Sequence, residues 1–273
     1  KNIIAGYGKL QILNGMTLQV RRGSITAILG GNGCGKSTTL KAITGMLKVT
    51  SGEITFEGES LVGIRPQSVV RKGIAYVTQG KDVFPSMTVE ENLLLGAYSI
   101  KSRQVIRDNI EMVLESMPRL KDRFKSPSGV LSGGEQQMLS IGRGLMSNPK
   151  LLILDEPTAG LDPQGVSDLL ELLASLRDGL GMTILMATHD MDVVPLCCDY
   201  AYLLGGGSVL ARGTPEELFA QAELLRANHL RLPRIAHLMA ILRDRDGLDV
   251  APVGTIGAAR RELLRLLKQE ELL

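Results

Sequence analysis

Residues 30–38 read GGNGCGKST, which satisfies the phosphate-loop pattern GxxxxGK[ST] and follows a short aliphatic run. Glycines are needed in such a loop because its backbone N–H groups turn toward phosphates in conformations that side chains obstruct. The pattern places Lys36 on the β- and γ-phosphates and the Ser37 hydroxyl on magnesium. A glycine-rich turn without a ligand is the alternative interpretation. The predicted phosphate-binding residues are Gly30, Asn32, Gly33, Cys34, Gly35, Lys36, Ser37 and Thr38.

Other short aliphatic runs with little alternation recur along the chain, separated by stretches of helical spacing. Such runs are typical of parallel strands that are covered on both faces. Two further segments alternate more and lie beside glycines, which favours antiparallel hairpins at the sheet edge. We therefore predict an α/β fold with a mixed, largely parallel sheet and an antiparallel edge. The predicted parallel strands are residues 24–29, 73–77, 151–154 and 183–187, and the edge segments are residues 53–57 and 208–211.

Helical periodicity dominates the segments between these strands. Residues 88–123 carry apolar side chains at helix spacing and no strand signal. Asp162 followed by Pro163 predicts a helix start, because aspartate caps the first N–H groups and proline favours the first turn. The helix after Asp162 is predicted to cover the sheet.

The chain after residue 213 has no further strand signal. Thr214 and Glu217 form a capping-box pattern, and amphipathic helices are predicted from about Pro233 and from about Thr255. We predict a main domain at 1–220 with a helical subdomain at about 85–145, and a helical tail at 221–273.

Composition excludes several classes of protein. The 273 residues carry 31 basic and 29 acidic side chains, and aromatic residues make up only 3%, with no Trp. The chain therefore lacks the basic field and the stacking platforms that recruit nucleic acid, and no nucleic-acid partner is expected. No apolar run approaches the roughly 18–20 residues that cross a bilayer, and the first residues lack the order of a signal peptide. We expect a cytoplasmic protein.

Cysteine and histidine give no metal or disulfide signal. Cys34, Cys197 and Cys198 are too few and too unfavourably spaced for a disulfide framework or a tetrahedral zinc site, so we expect free thiols. His229 and His237 have no metal-ligand companions and are interpreted as surface or packing residues.

The run LLILDE ends in two carboxylates at Asp155 and Glu156. Hydrolysis of a nucleotide needs a carboxylate in the magnesium shell and a group that activates water. Asp155 at the end of a buried strand fits the first role, and Glu156 beside it fits the second. Two solvated carboxylates at a strand end are the alternative.

The segment LSGGEQQ, residues 131–137, places Ser132, Gly133 and Gly134 at the start of a predicted helix, followed by Glu135. The N–H groups of a helix start attract anions, so this segment is a candidate second phosphate site. An ordinary serine-capped helix is the alternative.

In combination, these motifs resemble those of the ATP-binding subunits of ATP-binding cassette (ABC) transporters, over about residues 1–220. The resemblance implies an ATPase that uses Mg²⁺ and forms a head-to-tail dimer with itself or a homologous subunit. In that dimer the Ser-Gly-Gly loop of one subunit closes over the γ-phosphate held by the other. It also implies transmembrane permease subunits, which dock on residues 79–129, and a location on the inner face of the membrane.

The resemblance assigns further roles by position. Tyr7 would stack on adenine, Gln79 would contact magnesium and water, and Asp162 would cross the dimer interface. His189 would contact the γ-phosphate, as a catalytic residue with Lys36 and Glu156. A packing tyrosine, a helix cap and a structural histidine are the alternatives for Tyr7, Asp162 and His189. Glu135 stands where many relatives have glutamine, which fits the ATPases of branched-chain amino acid importers.

Two kinds of importer ATPase share the resemblance. Residues 1–157 look like the ATPases of branched-chain amino acid importers, and residues 160–273 like those of cobalt, nickel and vitamin energy-coupling importers. A mosaic chain with a seam near Asp162 is one hypothesis. Because the permease-docking segment lies in the first part, the sequence favours the branched-chain type.

Two other classes of function compete with transport. A soluble ABC ATPase acting on ribosomes or DNA usually carries two cassettes or a long coiled coil, whereas this chain has one phosphate loop and no sustained heptads. A scaffold that does not hydrolyse ATP would be expected to lose Lys36, Glu156 or His189.

Overall fold

The computed structural model describes residues 1–80, 82–228 and 230–269, and only the backbone of Gln269. His229 and the last part of the predicted tail, 270–273, lie outside the described residues. The strands are β1 Ile3–Tyr7, β2 Leu10–Met16, β3 Ile25–Leu29, β4 Val49–Ser51, β5 Thr55–Phe56, β6 Glu59–Ser60, β7 Ile74–Val77, β8 Leu151–Asp155, β9 Thr183–Thr188, β10 Tyr200–Gly205 and β11 Ser208–Gly213.

Helices connect and cover these strands. They are α1 Lys36–Ile43, α2 Pro66–Arg71, α3 Val89–Gly96, α4 Arg103–Ser116, α5 Pro118–Asp122, α6 Gly133–Leu145, α7 Pro163–Leu180, α8 Val194–Cys197, α9 Pro215–Phe219, α10 Ala222–Ala227, α11 Arg234–Asp244 and α12 Ile256–Gln269. Within the described residues, no helix has the length and apolar character needed to span a bilayer.

A six-stranded sheet forms the centre of the molecule, in the order β11-β10-β3-β9-β8-β7. Strands β10, β3, β9, β8 and β7 run parallel, and β11 pairs antiparallel with β10 at the edge. All five residues of β3 and of β8 are buried, as expected for strands covered on both faces. The predicted mixed sheet with an antiparallel edge is confirmed.

Alternate residues of each central strand enter two separate apolar layers. On one face, Ala27 and Leu29 pack with helices that include α6 and α7. On the other face, Ile28 packs with α1 and with residues of β1 and β2, which form a three-stranded antiparallel sheet with β4. The phosphate loop between β3 and α1 therefore begins at the end of a strand held from both sides.

Several strands differ from the sequence prediction. β2, β4, β6 and β10 were not predicted as strands, although β10 forms the hairpin with β11. The predicted edge segment 53–57 is a strand only at β5, because Glu53 donates its N–H to the Lys1 carbonyl, at 2.9 Å, rather than to a hairpin partner.

The predicted helix starts agree with the structure. Asp162 caps α7 by accepting the Gly165 N–H at 2.9 Å. Thr214 and Glu217 form the complete capping box at α9. The segment 88–123 contains α3, α4 and α5, which together with α6 lie between β7 and β8 in the chain.

The tail helices are anchored to the rest of the chain. Leu225, Leu230 and Ala236 are buried in the same apolar cluster as the central sheet. At the start of α11, the Arg234 N–H donates to Asp192 Oδ1 at 2.8 Å. Met239, Val250 and Ala259 form a smaller cluster within the tail, and His237 is exposed, as the sequence predicts.

Candidate functional site

The carboxyl ends of the parallel strands bring the predicted site residues to one edge of the sheet. The phosphate loop follows β3, Asp155 ends β8, and Gln79 and His189 follow β7 and β9. Ligands of open α/β sheets bind at this edge, where loops from neighbouring strands meet. Residues far apart in the sequence are therefore close together here.

The phosphate loop has the backbone geometry of an anion site. Gly33 and Gly35 have φ values of 80° and 106°, in the left-handed region that favours glycine. Helix α1 begins at Lys36 without a side-chain cap, whereas Ser132 and Asp162 cap α6 and α7. The first N–H groups of α1 have no partner within the helix, and a phosphate fits this set of donors.

Lys36 is held beneath this loop by two kinds of contact. Its Nζ donates to the Gly30 carbonyl at 2.9 Å and lies 3.2 Å from Glu156 Oε1. The Lys36 and Glu156 side chains are only 7% and 6% exposed, so the charges form a buried pair. Such a pair is retained where each charge has a partner, since an unpaired buried charge is costly.

Glu156 is fixed from its backbone as well as from its carboxylate. Its φ of 48° is unusual for a residue other than glycine, and its N–H donates to the Ala187 carbonyl at 2.8 Å. Its Oε2 accepts the backbone N–H of His189 at 3.1 Å and lies 2.7 Å from His189 Nδ1. Strained backbone of this kind concentrates at functional sites. His189, predicted at the γ-phosphate, thus contacts the carboxylate of Glu156.

Asp155 is the centre of a second polar group. Ser37 Oγ donates to its Oδ1 and Tyr76 OH to its Oδ2, both at 3.0 Å. Burial and the negative charge of Asp155 raise the pKa of Tyr76 well above its usual value, so this hydroxyl stays protonated. A serine hydroxyl beside a carboxylate is a donor set that fits Mg²⁺, which prefers oxygen ligands.

The remaining predicted residues are more exposed. Tyr7 lies 47% exposed at the end of β1, and Gln79 is exposed in the loop after β7. Among the described residues, no hydrogen bond joins Gln79 to Ser37 or Asp155. The structure places Gln79 at the correct edge of the sheet without bringing it into the Asp155 group.

Ser132 and Glu135 form a capping box at the start of α6. Ser132 Oγ accepts the Glu135 N–H at 3.2 Å, and Glu135 Oε2 accepts the Ser132 N–H at 2.7 Å. Ser132 and Gly133 are exposed, and no hydrogen bond or ion pair of the described residues joins Ser132 to the phosphate loop. A Cβ on Gly134 would lie 3.5 Å from the Gly165 Cα, so the start of α6 adjoins the first turn of α7, which Asp162 caps.

Cys34 fills space inside the phosphate loop. A Cβ built on Gly30 would lie 2.4 Å from Cys34 Sγ, which leaves no room for a side chain at Gly30. Burial raises the pKa of the Cys34 thiol, against the opposing charge of Lys36. The thiol is therefore protonated near neutral pH.

Sequence reasoning missed Tyr76. The sequence does indicate that Tyr76 needs a polar partner, because the hydroxyl of a tyrosine inside a buried parallel strand usually forms a hydrogen bond. The partner could not be named from the sequence, since it depends on β7 lying next to β8 in the sheet.

Known proteins resemble the chain over most of its length. A sequence model of the ABC transporter family matches residues 13–159. The energy-coupling factor transporter ATP-binding protein EcfA3 of Clostridium perfringens is 42% identical over 258 residues, 92% of this chain and 89% of that protein. The high-affinity branched-chain amino acid transport ATP-binding protein BraG of Pseudomonas aeruginosa is 40% identical over 218 residues, 80% of this chain and 93% of that protein.

A solved structure extends this similarity to the fold. CbiO1 from Clostridium perfringens, part of the ABC transporter complex cbiONQ, superposes with a TM-score of 0.75 at 39% identity. The superposition covers 88% of this chain and 97% of that one. The chain therefore belongs to the ABC transporter family, as a nucleotide-binding ATPase subunit.

Proposed function

We propose that this chain, paired head to tail with a second copy or a homologous subunit, hydrolyses ATP to drive an importer. The observation that carries the proposal is the cluster of Lys36, Glu156 and His189 beside the phosphate loop, next to the Ser37–Asp155 pair. In this proposal these residues serve as a phosphate cradle, a base and a metal-ligand set at one edge of the sheet.

Each residue of the cluster has a distinct task in this proposal. The N–H groups at the start of α1 and Lys36 bind the phosphates, and Glu156 accepts a proton from the attacking water. His189 contacts the γ-phosphate and holds the Glu156 carboxylate in place, while Tyr7 stacks on adenine. Ser37, Asp155 and Gln79 would hold Mg²⁺, which supplies charge neutralisation at the phosphate oxygens when bound.

The dimer in this proposal accounts for the second helix start. Ser132 and Gly133 are exposed, as expected for residues that complete a site on another subunit, and Asp162 caps the adjacent helix. A two-fold head-to-tail arrangement would place each Ser132 segment over the phosphate loop of the other subunit. We propose residues 1–220 as the cassette, with its helical subdomain at about 85–145, and residues 221–273 as the tail.

Exposed apolar side chains in the segment that follows Gln79 support docking of permease subunits. Phe84, Leu94, Leu95 and Tyr98 are exposed apolar side chains on or beside α3. The buried amide of Asn92 fixes the backbone beneath them, by accepting the Phe84 N–H at 2.9 Å and donating to the Thr88 carbonyl at 2.9 Å. A firmly held apolar patch suits a protein interface, and it would place the chain on the inner face of the membrane.

For the type of importer, we propose the energy-coupling class, with the branched-chain class as the second candidate. The alignment with EcfA3 covers 92% of the chain, so it crosses residues 157–162, and a mosaic is not needed to account for it. The alignment with BraG covers 80% of the chain. The branched-chain class is favoured by the resemblance of the docking segment, residues 79–129, to the ATPases of that class.

Co-purification distinguishes the two classes of importer. The chain is expressed with tagged membrane subunits of either class, and retention and ATPase stimulation are measured. We expect the energy-coupling subunits to retain the chain and raise its turnover. Retention by the branched-chain subunits alone would reverse the assignment, and retention by neither would contradict the importer function.

Deletion of the tail from residue 222 is expected to lower the melting temperature by about 6–24 °C. The deletion removes the buried side chains of Leu225 and Leu230, each worth about 1.5–3 kcal/mol. A matched deletion from residue 255 removes only α12 and should have a smaller effect. Calorimetry on both variants checks this prediction, and equal melting temperatures for the full chain and the longer deletion would contradict it.

A further inference from the structure

Tyr76 and Ser37 bind the two oxygens of the same carboxylate from different parts of the chain. Tyr76 OH donates to Asp155 Oδ2 and Ser37 Oγ to Asp155 Oδ1, each at 3.0 Å. Asp155 is only 4% exposed, so few other partners can reach its carboxylate. Each oxygen therefore has one hydroxyl donor.

We propose that Tyr76 is a positioning residue that fixes the orientation of the Asp155 carboxylate for Mg²⁺. The inference rests on the proposed function, in which Asp155 belongs to the metal-ligand set. Tyr76 itself does not contact the metal or the nucleotide in this proposal. It acts only through Asp155.

The sheet makes Tyr76 suitable for this task. Strands β7 and β8 pair in parallel, with Tyr76 opposite Ile153, and this register brings the tyrosine hydroxyl to Asp155, two residues further along β8. The ring is partly buried and packs on the apolar layer that contains Ile153 and Leu185. A donor on a packed strand loses little freedom when it binds, so it can hold a carboxylate in one orientation.

A hydroxyl also suits the electrostatics of the site. A cation at this position would pair with Asp155 and compete with the magnesium ion for its charge. A neutral donor constrains the carboxylate and leaves its charge in place. Hydrogen-bond partners of metal ligands commonly contribute about 10–100-fold to metal affinity, which sets the size of the expected effect.

The test is the variant Tyr76→Phe, which keeps the ring and removes the hydroxyl. Binding of a fluorescent, non-hydrolysable ATP analogue is measured at fixed analogue concentration while MgCl₂ is titrated. We expect the Mg²⁺ concentration for half-maximal binding to rise about tenfold or more, with analogue affinity in EDTA unchanged. ATPase activity should approach that of the unmodified chain at high Mg²⁺.

Tyr200→Phe is the matched control, since Tyr200 lies on β10 of the same sheet, away from Asp155. Tyr76→Met is a second variant without the hydroxyl and should show the same Mg²⁺ shift. An unchanged Mg²⁺ dependence in both Tyr76 variants would overturn the inference. So would an equal loss of affinity in EDTA, because that result indicates a role in shaping the nucleotide site as a whole.

Failure of the proposed function would give a different result. The unmodified chain would then bind the analogue without any Mg²⁺ dependence, and Asp155→Asn would not change binding. A Mg²⁺-dependent unmodified chain with unaffected Tyr76 variants would contradict only the role of Tyr76.

Discussion

Replacing Glu156 by glutamine is expected to lower ATP turnover by about 10²–10⁴-fold, the usual contribution of a general base. Glutamine has nearly the same shape as glutamate, so its carbonyl oxygen can still accept the N–H of His189. It cannot accept the proton of the attacking water. The variant should therefore fold and bind ATP, and it should accumulate in the ATP-bound dimer.

Steady-state phosphate release measures this effect. Glu171→Gln is a useful control, because Glu171 is exposed on α7 and belongs to no predicted site motif. We expect the control to retain most of the turnover. Unchanged turnover in Glu156→Gln would remove Glu156 from the proposed mechanism.

Replacing Lys36 by alanine is expected to weaken ATP binding by about 100-fold or more. Lys36 is the buried cation of the phosphate loop, and two charge-assisted hydrogen bonds to phosphates are worth about 3 kcal/mol or more. The variant also leaves the Glu156 carboxylate without its counter-charge at 3.2 Å, where it would repel the phosphates. Binding and turnover should both fall.

Calorimetric titration with ATP in the presence of Mg²⁺ checks the Lys36 prediction. Lys48→Ala removes an exposed lysine that follows the same helix and should bind ATP normally. Lys36→Arg should not restore affinity, because a planar guanidinium does not match the compact ammonium beneath the loop. Wild-type affinity in Lys36→Ala would contradict the assignment of the phosphate site.

The sequence predicted the fold where local patterns are strong. The loop at residues 30–38 and the run ending at Asp155 each combine a motif with a buried strand, and both stand where predicted. β2 was not predicted because its residues alternate weakly and include Asn14 and Gly15, so its pairing with β1 decides its structure. Tertiary context outweighs local preference in such strands.

The contacts within the site could not be read from the sequence. The Tyr76–Asp155 bond depends on sheet order, and the Glu156–His189 contact depends on β8 and β9 being neighbours. Neither order follows from the spacing of residues along the chain. Similarly, the amphipathic pattern predicted the tail helices, but the residues through which they attach, Leu225 and Asp192, depend on tertiary contacts.

Light scattering on the Glu156→Gln chain with Mg²⁺ and ATP measures whether two chains associate around two nucleotides. Ser132→Arg in the same background tests whether the start of α6 completes the site of the other subunit. We expect twice the mass of the chain with two bound nucleotides for Glu156→Gln, and monomers that still bind ATP when Ser132→Arg is added. ATP-bound monomers without the Ser132 change, or dimers that tolerate it, would contradict the head-to-tail dimer.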